Sequence, residues 1–301
     1  MYSEIAKNKR NSYVLIFLFL LVIIGLCWVF SLAYDNVLIL ILGVGFSVGY
    51  ALISYFNAGS MVLAISKAKP IAKKDKPKLY RIVENLTIAA GLPMPKIYII
   101  DDSAPNAFAT GRNPEHGVVC VTTGLLDVLD KSELEGVIAH ELSHIGNYDI
   151  RFMTLVVILV GVIVLISDWF IRFSIFSDDS ESGGDQFRLI MMIVGIALAI
   201  LAPIIGMLMQ LAFSRKREYL ADSSAALLTR YPEGLASALE KIDSNAEPLE
   251  AANRATSNLY IINPLRDNVK GDKRSRFAGL FSTHPPTKER IKRLREMGAH
   301  S

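Results

Sequence analysis

Cysteine is nearly absent: of 301 residues, two are Cys. Cys27 falls in the first long apolar run and Cys120 in a shorter one, so neither is placed for a disulfide, which fits a reducing compartment. Charge is also scarce, at 20% of residues, and nearly balanced, with 32 Lys+Arg against 29 Asp+Glu and a net +3. So small an excess gives no reason to expect a nucleic-acid partner. No internal repeat is present. No small-residue cleavage site follows the first apolar run, which at 18 residues exceeds a signal-peptide core and reads as an uncleaved anchor.

Apolar residues, by contrast, make up 51% of the chain, which excludes disorder. Uncharged runs cover Tyr13 to Phe30, Val37 to Phe56 and Leu189 to Phe213, and a fourth, Phe152 to Ile171, is broken only by Asp168. Each is long enough to cross a bilayer core of ~30 Å at ~1.5 Å per residue. The expected fold is therefore an α-helical membrane protein with four transmembrane helices and one soluble part. The expected divisions are a transmembrane hairpin over 1–60, a soluble part over 61–151, a second hairpin over 152–213 and a second soluble part over 214–301. Basic clusters precede the first span (Lys7, Lys9, Arg10), follow the second (Lys67 to Lys78) and follow the fourth (Arg215, Lys216, Arg217). Acids mark the opposite turns, Asp35 in one and Asp178, Asp179, Glu181 and Asp185 in the other. By the positive-inside rule both termini and the soluble parts face the cytoplasm.

Within the soluble part, Leu79, Ile82, Val83 and Leu86 predict a helix over Lys78–Ala90, stopped at Gly91. KIYII (Lys96–Ile100) and VVCVT (Val118–Thr122) read as strands of a small sheet with an exposed edge, flanking NAFATG at Asn106–Gly111. Ser132 and Glu135 form a capping-box pattern for a following helix, which is expected to run on toward the third span. Thr287 to Met297 reads as a strongly charged helix, and Glu250 to Lys273 as polar, irregular and mobile. His116 and His300 read as solvent residues. Gly45-x-x-x-Gly49 carries no inference of a dimer, and the oligomeric state stays open.

The chain has five histidines, and two stand in His140-Glu141-Leu142-Ser143-His144. Residues four apart on a helix differ by a net ~40° and ~6 Å of rise, so both imidazoles leave one face and can grip one metal ion. Glu141 lies on the adjoining side, where a general base reaches water without being a ligand. A chance occurrence is expected only about 0.004 times at this composition, so the pattern points to a zinc site. A catalytic zinc takes three protein ligands. The extended motif with a third histidine fails here, because Asn147 and Ile150 occupy its glycine and histidine positions and Asp149 is out of register. The third ligand is then a carboxylate further along. Glu218 follows the fourth span directly, and a two-span hairpin returns it to the surface that His144 leaves. Asp222, one turn on, is placed to accept the N–H of a ligating histidine.

His140 to His144 between two hydrophobic hairpins, S-R-K-R-E-Y-L-A-D at 214–222, N-A-F-A-T-G at 106–111 and S-T-H-P-P-T-K-E-R-I at 282–291 together resemble the HtpX family of membrane zinc metalloproteases. The resemblance spans most of the chain in the family's order. It implies a cytoplasmic α+β domain of zincin (gluzincin-like) type in the cell's inner membrane. It also implies one Zn2+ per chain on His140, His144 and Glu218, with Glu141 as catalytic base. The role implied is quality control, with damaged or misfolded membrane proteins that expose cytoplasmic segments as substrates and the lipid bilayer as surroundings. On this view His284 is a candidate to stabilise the oxyanion, and Asn106, Ala107, Phe108, Ala109 and Thr110 are a candidate strand for pairing with an extended substrate. Two other readings are a narrow-specificity membrane protease of the CAAX prenyl endoprotease type and a catalytically silent scaffold or transporter. The first expects more than four spans. The second has only Asp168 as an ionisable group within the spans.

Overall fold

In the computed structural model of the chain the residues described are 2–33, 35–159, 214–245, 247, 249–250, 256–264 and 285–299. Helices α1 (Tyr2–Ala33) and α2 (Val37–Ile65) pack against each other as a hairpin. Asn36 caps α2, its side chain accepting the Leu38 N–H at 3.0 Å. Both helices are long and apolar enough to cross a membrane. Phe17, Leu21, Trp28, Leu42 and Phe46 are each more than half exposed, an outward apolar surface that suits lipid rather than water. The remainder of the two later runs, from residue 160 to 213, lies outside the described residues.

The soluble part is built on a four-stranded sheet, β1 (Lys69–Pro70), β2 (Lys96–Ile100), β3 (Ala107–Thr110) and β4 (Val118–Thr122), in the order β1-β2-β4-β3. The β2–β4 pair is parallel, and the two outer pairs are antiparallel. Side chains alternate between two cores as a strand's two-residue period requires. Ile97, Ala107, Ala109, Val119 and Val121 face one core, while Ile100, Phe108, Val118 and Cys120 face the other. VVCVT is a continuous apolar run because β4 is buried on both faces. The first core joins the sheet to α3 (Pro77–Ala90), α5 (Lys131–Gly146), α7 (Arg215–Thr229) and α8 (Pro232–Ser244). The second joins it to the hairpin and to a further helix, α6, which begins at residue 149. The short α4 (Thr123–Val128) links β4 to α5, and α9 (Thr287–Ala299) packs on α8. Arg151 fastens the hairpin to this body, its guanidinium 4.6 Å from the Tyr13 ring centre and 5.0 Å from that of Tyr55.

Four expectations need correction. The capping box of α5 is Asp130 with Glu133, not Ser132 with Glu135. The Asp130 carboxylate accepts the Glu133 N–H at 2.9 Å, and the Glu133 carboxylate accepts the Asp130 N–H at 2.8 Å. Ser132 lies inside the first turn and donates to Asp130 at 2.7 Å. Helix α5 does not run on into the third span either. It is capped at Asn147, and Tyr148 takes a left-handed φ of 60° before α6 starts in a new direction. β3 is an edge strand by pairing but buried from solvent along its whole length. Part of the supposedly mobile stretch is what covers it: Ser257–Leu259 form a 3-10 turn, and Thr256 to Ile262 are buried. The Ile261 N–H donates to the Ala107 carbonyl at 2.9 Å, and Tyr260 packs edge-on against Phe108, ring centres 5.0 Å apart.

Candidate metal centre and active site

Helix α5 buries its middle turns under the sheet, and His140, Glu141 and His144 are 1%, 2% and 5% exposed. The one-face geometry of a four-residue spacing is realised: His140 Nε2 and His144 Nε2 converge to 3.2 Å with the rings nearly perpendicular. Glu218, on the first turn of α7, closes the group, with carboxylate oxygens 3.8 Å from His140 Nε2 and 3.6 Å from His144 Nε2. Among the described residues these three form a buried cluster able to hold a metal ion.

Each imidazole is oriented by a carboxylate on its outer nitrogen. Asp222 Oδ1 lies 3.0 Å from His140 Nδ1, and Asp149 Oδ2 lies 3.1 Å from His144 Nδ1. Those bonds assign the proton of each neutral ring to Nδ1 and leave both Nε2 lone pairs facing inward. Two lone pairs and a carboxylate within 4 Å of one another repel unless a cation lies among them. A tetrahedral ion bonded at ~2.0–2.2 Å holds its ligand atoms about 3.3 Å apart, close to the separations found. The donor set fits a metal ion on these grounds.

Arg290 of α9 completes the site. It is 1% exposed and donates through Nε and Nη2 to the two oxygens of Asp222 at 2.9 and 2.7 Å, a bidentate fork. Its Nη1 donates to the Ile261 carbonyl at 2.9 Å and lies 3.5 Å from Glu218. Burial alone would raise the Asp222 carboxyl, but the Arg290 guanidinium and the His140 ring hold it below the usual range. Burial pushes His140 down despite Asp222. At His144 burial acts the same way, yet the hydrogen bond it donates to Asp149 and the charges of Glu218, Asp149 and Glu141 prevail and lift it to about 9. Glu141 is pushed up to about 7, chiefly by burial and then by Glu218, against His144, Arg290 and a hydrogen bond from the Ala109 backbone N–H. A carboxyl that titrates near neutrality is suited to accept and return a proton.

The structure thus brings together His140, Glu141, His144, Glu218 and Asp222, with Ala109 of β3 touching Glu141. Asn106 is engaged with the covering segment: its Nδ2 donates to the Ile262 carbonyl at 2.9 Å. His284 and His300 lie outside the described residues, and His116 is exposed, bonded to Asn113 at 2.7 Å. Both cysteines are free. Glu218 is buried, at 2% exposure. Sequence reasoning missed Asp149 and Arg290. The first was hidden by assuming an unbroken helix. The second had a signal, since Arg290 shares the Leu294 face at i, i+4, and these two are the buried residues of α9.

The chain belongs to peptidase family M48, whose sequence profile matches residues 73–298. It is thus a member of a metalloprotease family. It is 48% identical to the "Protease HtpX homolog" of Tropheryma whipplei (strain Twist) over 99% of each chain. It is 46% identical to the protein of the same name from Dictyoglomus thermophilum, over 99% of this chain and 95% of that one. The crystal structure of S. mikatae Ste24p matches with a TM-score of 0.49 at 21% identity over 90% of this chain. This chain spans 62% of the length of that protein. Its two long apolar helices, together with the M48 family and the HtpX names, mark it as a membrane protein.

Proposed function

We propose that the protein is a zinc-dependent endopeptidase of the cell's inner membrane that cleaves damaged or misfolded membrane proteins at segments exposed to the cytoplasm. One observation carries this reading: two inward-facing imidazole nitrogens and a carboxylate converge beside the buried Glu141. His140, His144 and Glu218 hold the ion. Zinc held there would supply Lewis-acid chemistry, polarising the scissile carbonyl and lowering the pKa of the attacking water. Glu141 takes the proton of the attacking water and delivers it to the departing amine nitrogen as the C–N bond breaks. Asp222 and Asp149 keep both rings in the ligating tautomer, and Arg290 holds Asp222 ionised. His284 would be the group that stabilises the oxyanion. An extended substrate would pair through its backbone with the Asn106–Thr110 strand at Ala109, whose N–H donates to Glu141, beyond the part of the edge that Ile261 occupies at Ala107. Both termini and this site face the cytoplasm in the proposed topology.

Purified full-length protein incubated with casein tests the reading. Digestion is expected with zinc and not with chelator. Glu141→Gln is expected to bind zinc without cutting, and Glu218→Ala to lose both. Equal zinc content in wild type and Glu218→Ala, or casein cut equally fast by Glu141→Gln, would refute it.

A further inference from the structure

We propose that Asn8, in the polar turns ahead of the first apolar run, is a positioning residue of the metal centre, acting through Asp149 on His144. The proposal rests on the metal-centre reading above. Had α5 continued as a helix, residue 149, five beyond His144, would point about 140° away from it. The break at Asn147 and Tyr148 turns the chain so that Asp149 Oδ2 reaches His144 Nδ1 at 3.1 Å. The other oxygen of that carboxylate is held from α1: Asn8 Nδ2 donates to Asp149 Oδ1 at 2.7 Å. The same nitrogen donates its second hydrogen to the Asn147 carbonyl at 2.9 Å, an acceptor at the end of α5 with no helical partner. Asn8 is fully buried, and Asp149 is 2% exposed. Arg217, next to Glu218, approaches the same Asp149 oxygen only to 3.6 Å, beyond hydrogen-bond length.

One amide thus fixes both ends of the short segment that aims Asp149. A metal-ligating histidine is set by the partner on its other nitrogen, and that partner is set by its own hydrogen bonds. The polar start of α1 is accordingly part of the active centre, not only a charged anchor on the membrane surface. Asparagine suits the position because its amide nitrogen offers two donors, whereas the isosteric aspartate would set a carboxylate against Asp149.

The test uses full-length protein in detergent with Asn8→Ala, Asn8→Asp, Asp149→Asn and, as a control in the same helix, Leu15→Ala, which removes buried apolar contact in the second core but none of the Asn8 hydrogen bonds. Zinc affinity is read by competition with a chromophoric chelator, the ligand field by visible absorption of the Co2+-loaded protein, and turnover on casein as kcat and KM. Asp149→Asn is expected to weaken zinc 10–100-fold, and Asn8→Ala several-fold, both with a changed Co2+ spectrum and lowered kcat. Asn8→Asp, the closest in shape, is expected to be at least as damaging as Asn8→Ala, the reverse of what a packing role predicts. Leu15→Ala is expected to lower Tm with zinc affinity unchanged. If Asn8→Asp does not fold, Asn8→Ala alone decides. Zinc affinity and Co2+ spectrum unchanged in Asn8→Ala, or weakened equally in Leu15→Ala, would overturn the proposal. A wild type that binds zinc but leaves casein intact overturns the endopeptidase reading instead, while the affinities still decide the role of Asn8.

Discussion

Replacing Arg290 by methionine removes the centre of the buried polar network while keeping much of the side-chain volume. Arg290 makes two charge-assisted bonds to Asp222 and one to the Ile261 carbonyl, all at 2.7–2.9 Å. Without it, Asp222 is a carboxylate at 2% exposure left with the hydrogen bond from the neutral His140 ring, and the Ile261 carbonyl loses its donor. Breaking a buried ion pair from one side costs about 3–5 kcal/mol, because the surviving charge stays desolvated. For a soluble part of this size that corresponds to a fall in Tm of roughly 10 °C. Arg290→Lys keeps the charge but not the planar fork and should fall between. Adding Asp222→Asn to Arg290→Met removes the stranded charge and should recover part of the loss, so the two substitutions are non-additive. Thermal unfolding in detergent, with zinc content measured on the same samples, reads both effects. A loss below about 1 kcal/mol for Arg290→Met, or strict additivity in the double variant, would refute the claim that this fork holds the site together.

In chelator-treated protein, Glu141 keeps its proton up to about 7. A carboxyl raised in the folded state favours folding below its ordinary pKa, and that contribution is lost as pH rises from about 4.5 through 7, a swing of roughly 3 kcal/mol. Metal-free Glu141→Gln should therefore melt above metal-free wild type at pH 8 and not at pH 4.5, and identical melting at both pH values would count against the buried-base assignment. A Cβ added at Gly136 would lie 2.7 Å from the Leu235 backbone nitrogen, so Gly136→Ala should push α5 and α8 apart and destabilise by about 1–3 kcal/mol; denaturant unfolding at wild-type midpoint would contradict this. For topology, a tag placed between Ser177 and Gln186 should be labelled by an impermeant reagent in intact cells while a C-terminal tag is not, and the opposite pattern would reverse the proposed orientation.

What the sequence made legible was local. A period of about 3.6 placed α3 to its last residue, with Gly91 at φ 64° closing it, and β-rich runs placed β2 and β4 at the bounds expected. The four-residue spacing of His140 and His144 needs only a helix; Glu218 was reached through the return of a two-span hairpin, and Asp222 through its place one turn beyond Glu218. The misjudged cap of α5 arose from the same local logic. Asp130-x-x-Glu133 and Ser132-x-x-Glu135 both fit a capping box, and only the direction in which the chain arrives selects between them.

The rest was not local. Asn8 and Asp149 are 141 positions apart, Asp222 and Arg290 are 68, and Asn106 and Ile262 are 156, and no periodicity connects members of such pairs. What joins them is burial of polar groups: once α5, α7 and α9 close around a set of carboxylates and imidazoles, a buried oxygen or nitrogen without a partner costs the fold several kcal/mol. Thr256 to Ile262 illustrates the point from the other side. Its composition is that of a loop, yet it is buried because β3 has a free edge to satisfy and Phe108 has a ring face to cover. The residues that sequence reading overlooks in such a site are therefore those that answer the needs of its ligands, and they are found by asking of each ligand what holds its other side. For His140 the answer runs through Asp222 to Arg290, near the C-terminus. For His144 it runs through Asp149 to Asn8, near the N-terminus.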